Sequence, residues 1–260
     1  MISSDFRTEA RRKLSGKWSK AVFIVLAYMA LTFVIGFIEG LFPESMEEIF
    51  GLVNTIINVP LSFGLVFAFL KLFNGEDVKA FDFATLGFSN FGKSWGVAFQ
   101  IFLKMILPEI AVIVSFLILM IGGISTGIMV SAYPSTSASA FSMFMLIVGV
   151  VLVIVSSVWA TTKYYYYKLA YLIAADNEDM STADAVEESQ RLMTGKRASL
   201  FCLELSFIGW AILSVATMGI GFLWLVPYVQ FANIAFYKYA TGNTETIEIN
   251  TSDDNTSENM

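Results

Sequence analysis

The sequence predicts an all-α fold: a polytopic transmembrane helical bundle of six spans in three hairpins, with both termini cytoplasmic. Three observations carry that expectation. Of the 260 residues, 56% are hydrophobic and 15% charged, against about 45–50% and about 25% in soluble domains. Six stretches supply the roughly 20 mostly apolar residues that a helix needs to cross about 30 Å of hydrocarbon. Fifteen of the sixteen Lys and Arg residues fall on alternate connections, the asymmetry by which cations stay on the cytoplasmic side.

The first span, Ala21–Phe42, follows Arg7, Arg11, Arg12, Lys13, Lys17 and Lys20. Its apolar run exceeds the roughly 7–15 residues of a cleaved signal peptide and no small-residue cleavage site follows, so it is expected to be retained. The second, Gly51–Phe73, carries Asn54 and Asn58 on one face, placed for hydrogen bonds between helices. The third runs from about Pro108 to Val130, and Gly122, Gly123 and Gly127 in it suit close packing against the fourth, Phe141–Thr162. Between the fifth, Ala198–Thr217, and the sixth, Phe222–Ala240, stand only Met218-Gly219-Ile220-Gly221, a tight turn. The connections 43–50, 131–140 and 218–221 hold no cation. Residues 1–240 thus read as one membrane domain. The acidic, cation-free tail 241–260 is expected to be disordered.

A short signal recurs on the cationic side. Gly16-Lys17-Trp18, Gly92-Lys93-Ser94-Trp95 and Gly195-Lys196-Arg197 precede the odd spans. The even spans leave through aromatics towards Lys71…Asn74, Lys168…Asn177 and Lys238…Asn243. Either three related hairpins form an internal repeat, or glycine stops and interfacial lysines produce the likeness. Ser181–Arg197 reads as an amphipathic helix, with Ser181 as its cap and Asp184 completing a capping box. Ala185, Val186, Ser189 and Met193 share one face, and Gly195 closes the helix. It is either a connector lying against the membrane or a docking surface. The run from Lys163 to Lys168, with four tyrosines between, reads as an interfacial anchor together with Trp159 and Tyr171.

An ionisable group near the bilayer centre costs about 2.5–3.5 kcal/mol on insertion scales, so Lys104, Glu109 and Glu204 need an explanation. Gly96, Gln100 and Lys104 recur at four-residue spacing, which gives Ser94–Leu107 a polar stripe and an interfacial position. Pro108 then opens the spanning helix, with Glu109 beside its favourable N-terminal dipole. If the span instead begins at Trp95, both charges lie deep. Glu204 is expected to meet Lys238 as a structural pair. The alternative is a polar path in which Glu204 faces Lys104, with Asn233 and Gln230 nearby and Pro227 freeing a carbonyl. With Asn54, Asn58 and Glu109, these form the candidate intramembrane polar site.

The chain has no histidine and one cysteine, Cys202. That removes His-based acid–base catalysis, histidine metal sites and any intramolecular disulfide. The carboxylates do not cluster and no glycine-rich phosphate loop appears, so no catalytic, cofactor-binding or metal-binding residue is expected. A net charge of −6 argues against nucleic acid as a partner. Two readings remain. One is a non-catalytic protein that binds a cytoplasmic or membrane protein partner or organises the envelope. The other is a small-solute permease or channel-like carrier. Membrane lipids are partners in both.

The stretch Leu205-Ser206-Phe207-Ile208-Gly209-Trp210, followed by Thr217-Met218-Gly219-Ile220-Gly221, Trp224, Pro227-Tyr228 and Phe236-Tyr237, resembles the bacterial integral membrane family called domain of unknown function 975. Ala174-Ala175-Asp176-Asn177, Leu192-Met193…Gly195-Lys196 and the N-terminal Ala10-Arg11…Leu14-Ser15-Gly16-Lys17-Trp18 resemble it too. The likeness is weakest from Glu44 to Phe141. Val155-Ser156-Ser157 stands where a Pro-Gly is expected, which removes the reason for a kink in span four. The resemblance implies a multi-pass protein of a bacterial cytoplasmic membrane and assigns no functional residue.

Overall fold

The computed structural model describes residues 3–132 and 137–242, and every regular element among them is helical. In chain order these are α1 (Ser3–Leu14), α2 (Trp18–Glu39), α3 (Glu47–Asn74), α4 (Asp82–Ser89) and α5 (Phe91–Ala132). There follow α6 (Ser137–Tyr167), α7 (Ala170–Asp176), α8 (Thr182–Met193), α9 (Arg197–Leu205), α10 (Ile208–Ala216) and α11 (Phe222–Ala240). A single 3-10 turn, Glu44–Met46, leads into α3. The acidic tail from position 243 lies outside the described residues.

Five helical runs are long and apolar enough to cross a membrane: Trp18–Glu39, Glu47–Asn74, Phe91–Ile128, Ala140–Asp176 and Arg197–Ala216. This is an integral, polytopic helical bundle. The fifth run is interrupted, since α9 ends at Leu205 and α10 starts again at Ile208. Met218 and Gly219 both take positive φ, 55° and 91°, which makes the expected tight reversal before α11.

The sequence expectation of a fresh helix start at Pro108 is corrected. The 42 residues of α5 form one helix with Pro108 inside it, about 63 Å long at ~1.5 Å per residue. Proline removes one ladder bond, but a helix packed along its length on neighbours tolerates that loss. Those neighbours are α6 and α8. The α5–α6 contact is close because Gly122 and Gly149 sit opposite backbone: a β-carbon on either would lie within 3.0 Å of Leu146 or Leu119 backbone atoms. Ser115 and Ser156 hydrogen-bond across the pair at 2.8 Å. Gly123 and Gly127 meet nothing within 4 Å, so of the three expected packing glycines only Gly122 serves.

The core gathers at one end of the bundle. It draws on α1, the stretch of α3 after Pro60, α7, α8 and most of α11, with Phe6, Phe63, Phe69, Phe83, Phe231 and Phe236 all at or below 1% exposure. The far ends of α2, α5, α6 and α10 show large apolar side chains outward, a surface suited to lipid rather than water.

Three successive groups of helices, α1–α3, α4–α7 and α8–α11, each open with a short helix followed by one of the recurrent lysines; each is termed a unit, and α3, α6–α7 and α11 its returning helix. The short helices are α1, α4 and α8. Each packs on the returning helix of another unit: α1 on α11, α4 on α3, α8 on α7. In α1, Phe6, Ala10 and Leu14 stand eleven, seven and three residues before Lys17; in α8, Ala185, Ser189 and Met193 hold the same offsets from Lys196. All six are at most 1% exposed. Gly16 and Gly195 close these helices with φ of 75° and 79°, a conformation that glycine adopts without penalty. In α4 the matching residues Phe83 and Gly87 are one position nearer to Lys93.

Candidate functional site

The three recurrent lysines have one task in common. Lys17 Nζ donates to the Leu72 carbonyl at 2.8 Å, Lys93 Nζ to the Asn177 and Glu178 carbonyls at 2.7 Å each, and Lys196 Nζ to the Ala240 carbonyl at 3.0 Å. Each acceptor lies where the returning helix of the same unit ends. Carbonyls at a helix C-terminus carry the negative end of the helix dipole, so a cation there is favourable, and it adds to the N–H bonds that Leu72 and Asn177 already accept from Gly75 and Met180.

The candidate polar residues disperse around the bundle. Lys104 Nζ faces Glu187 on α8 at 4.0 Å. Glu204 accepts from Tyr165 Oη at 2.6 Å and from Lys168 Nζ at 3.0 Å. The expected Glu204–Lys238 pair is therefore corrected: Lys238 meets Asp176 at 3.0 Å, beside the Tyr237 hydroxyl, which donates to the same carboxylate at 2.8 Å. The Lys104–Glu204 path is corrected likewise, because these two charges have separate partners on different helices. Glu109 is exposed, and Gln230 is half-buried. Asn233 is 7% exposed, and its Oδ1 is buried without a hydrogen-bond partner. Asn54 donates to Glu39 Oε2 at 2.7 Å and lies in contact with Asn58, so that pair ties α3 to α2 as expected of interhelical bonds.

The α8 segment behaves as its sequence indicates. The Asp184 N–H donates to Ser181 Oγ at 3.2 Å, and Ser181 Oγ donates to the Asp184 carboxylate at 2.7 Å. The apolar face is wholly used within the fold, and Ser189 Oγ donates to the Tyr166 carbonyl at 2.8 Å. What α8 offers outward is the stripe Asp184, Glu187, Arg191 and Thr194, all exposed. Arg191, hydrogen-bonded to Glu188 at 2.5 Å, holds that carboxyl below its usual range. The tyrosine run divides: Tyr164 is exposed, whereas Tyr165 and Tyr167 are buried at 9% and 6% exposure.

Several residues that matter here escaped the sequence reading. Asp176 and Lys168 were noted only as parts of motifs, and Glu39 was absorbed into the end of the first apolar run. Arg11, an orientation signal and part of the N-terminal motif in the sequence, donates from its Nε to Tyr228 Oη at 2.9 Å. Arg11, Trp18, Trp210, Thr217, Gly221, Trp224 and Tyr228, which belong to separate motif stretches in the sequence, line one groove of about 440 Å³.

Among the described residues no group of three or more potential metal ligands occurs. No curated protein and no solved structure matches the chain. The family model described as protein of unknown function (DUF975) matches residues 1–244. That span holds all three units and the motif residues that converge on the groove, so the chain belongs to the DUF975 family.

Proposed function

We propose that this protein crosses a bacterial cytoplasmic membrane six times, in three hairpins, and serves there as a non-catalytic partner-binding or organising component. In this reading α1, α4 and α8 lie on the cytoplasmic side with the cations, and α11 is the sixth span. The sparser hydropathy of α11, with Gln230, Asn233 and Lys238, accords with its surroundings. Phe231 to Tyr237 are buried among α1, α2, α3 and α9 and need not face lipid.

The observation that supports the functional reading is that Lys104, Glu204 and Asn54 are each paired with a different helix. A carrier needs several such groups around one cavity or along one path. Here Lys104 goes to α8, Glu204 to α6, and Asn54 to α2. The exposed stripe of α8 is left as the surface for a partner.

Native mass spectrometry of the full chain released from lipid nanodiscs tests this. The expected result is a protein partner at fixed stoichiometry, lost when Glu187 and Arg191 are both replaced by alanine. A chain that carries no protein, and whose Glu204→Gln variant changes solute flux in liposomes while folding normally, would establish the carrier instead.

A further inference from the structure

The groove lined by Arg11, Trp18, Trp210, Leu213, Trp224 and Tyr228 lies between the first unit and the third. Its volume of about 440 Å³ falls in the range of about 300–1,000 Å³ typical of small-molecule sites. Trp210, Leu213 and Trp224 are more than half exposed, so the walls are apolar and open to the side that faces lipid. At one end stands Arg11, bonded to the Tyr228 hydroxyl and lying 5.7 Å from the centre of that ring. The tyrosine holds the guanidinium at the mouth by one nitrogen and leaves the others free to donate.

A second groove lies between α6 and the start of α9. It has a volume of about 570 Å³ and is lined by Val158, Thr161, Thr162, Tyr165, Phe201 and Arg197. Arg197 lies 4.2 Å from the centre of the Tyr166 ring. Arg11 lies within α1 and bonds the hydroxyl of Tyr228 on α11, whereas Arg197 opens α9 and lies over the ring of Tyr166 on α6. A mainly apolar groove whose lining holds one arginine, itself beside a tyrosine, thus occurs twice.

We propose that each groove binds an acyl chain of an anionic glycerophospholipid, with Arg11 or Arg197 hydrogen-bonded to its phosphate. A choline headgroup carries the same phosphate with a compensating ammonium, so the positive charge of the arginine favours a headgroup of net negative charge. A guanidinium presents several N–H donors in a plane that matches two phosphate oxygens; the Tyr228 hydroxyl orients that of Arg11, and the Tyr166 ring that of Arg197. The apolar walls select an amphiphile over a free anion. For the first groove the anionic class is further favoured by α1, whose sequence carries four cations against two acids.

The first groove supplies its own reporters, since three of the five tryptophans line it. Full-length protein is reconstituted into phosphatidylcholine bilayers doped with dibrominated phosphatidylglycerol or, at equal mole fraction, dibrominated phosphatidylcholine. Bromine on the acyl chain quenches tryptophan fluorescence at contact. The glycerol lipid is expected to quench more than the choline lipid. Arg11→Gln should lower its quenching to the choline level, and Arg11→Lys should retain part of the excess. Inorganic phosphate should not compete.

Equal quenching by the two lipids in the native chain would overturn the proposal. So would an excess that survives Arg11→Gln combined with Arg197→Gln, or one that inorganic phosphate abolishes. Should Arg11→Gln fail to fold, Arg11→Lys decides: complete loss of the excess in a folded lysine variant also overturns it.

Discussion

Gly64→Ala is expected to be the most damaging single-methyl change in the protein. A β-carbon at position 64 would lie 1.9 Å from the Phe83 carbonyl oxygen and 2.6 Å from the Gly87 nitrogen. One at position 87 would lie 2.1 Å from the Pro60 carbonyl oxygen. Here α3 and α4 touch backbone to backbone, and no side chain can rotate away. Ordinary overpacking costs about 1–3 kcal/mol because side chains yield; with backbone on both sides, either alanine should exceed that range. Gly36→Ala and Gly123→Ala are the controls, since both are helical and neither has anything within 4 Å. Relief of glycine's conformational entropy should make them neutral or stabilising by up to about 1 kcal/mol. Thermal unfolding in detergent, followed by circular dichroism, separates the two pairs. A native melting temperature for Gly64→Ala would refute the close approach.

The lysines that close the returning helices carry the second large effect. Lys17→Met, Lys93→Met and Lys196→Met each keep the apolar stem and remove the ammonium. Each should cost about 1.5 kcal/mol, the low end for a bond with a charged donor because the ammonium groups stay partly hydrated. Burial lowers the pKa of both Lys17, aided by Lys13 and Lys20, and Lys93, so these ammonium donors lose their charge at a lower pH than a free lysine. The three sites act on different helix ends, and well-separated substitutions add, so the triple variant should lose the sum. Lys79→Met, at an exposed position, should leave unfolding unchanged. Near-equal single effects are the signature of three equivalent units. One large loss with two null results would leave the likeness to interfacial preference alone.

The long apolar runs were legible because lipid imposes a minimum length that no packing detail alters. The ends of α8 were legible because caps are local chemistry: Ser181, Asp184 and Gly195 lie within one or two turns of what they satisfy. The Gly-Lys signal was visible, but its purpose was not, since Lys17 and Leu72 are 55 residues apart. The helices α1, α4 and α7 were missed for a related reason. They are short, and their buried residues are chosen by distant surfaces, as Gly87 is by Pro60. Pro108 gave the wrong boundary because the same residue opens a helix or sits inside a packed one. Glu204 could reach a lysine on either neighbouring helix by sequence distance alone, and packing assigned it Lys168.

The proposed three-hairpin topology rests on α11 crossing the membrane, and a labelling experiment addresses that directly. With Cys202 replaced by serine the chain contains no thiol, so single cysteines can be placed at Met218, which is 95% exposed, at Thr241 and at Asp77. A membrane-impermeant maleimide applied to intact cells should label Met218→Cys at once, and Thr241→Cys and Asp77→Cys only after permeabilisation. Labelling of Met218→Cys and Thr241→Cys from the same side would contradict the six-span account and leave α11 on one face of the membrane.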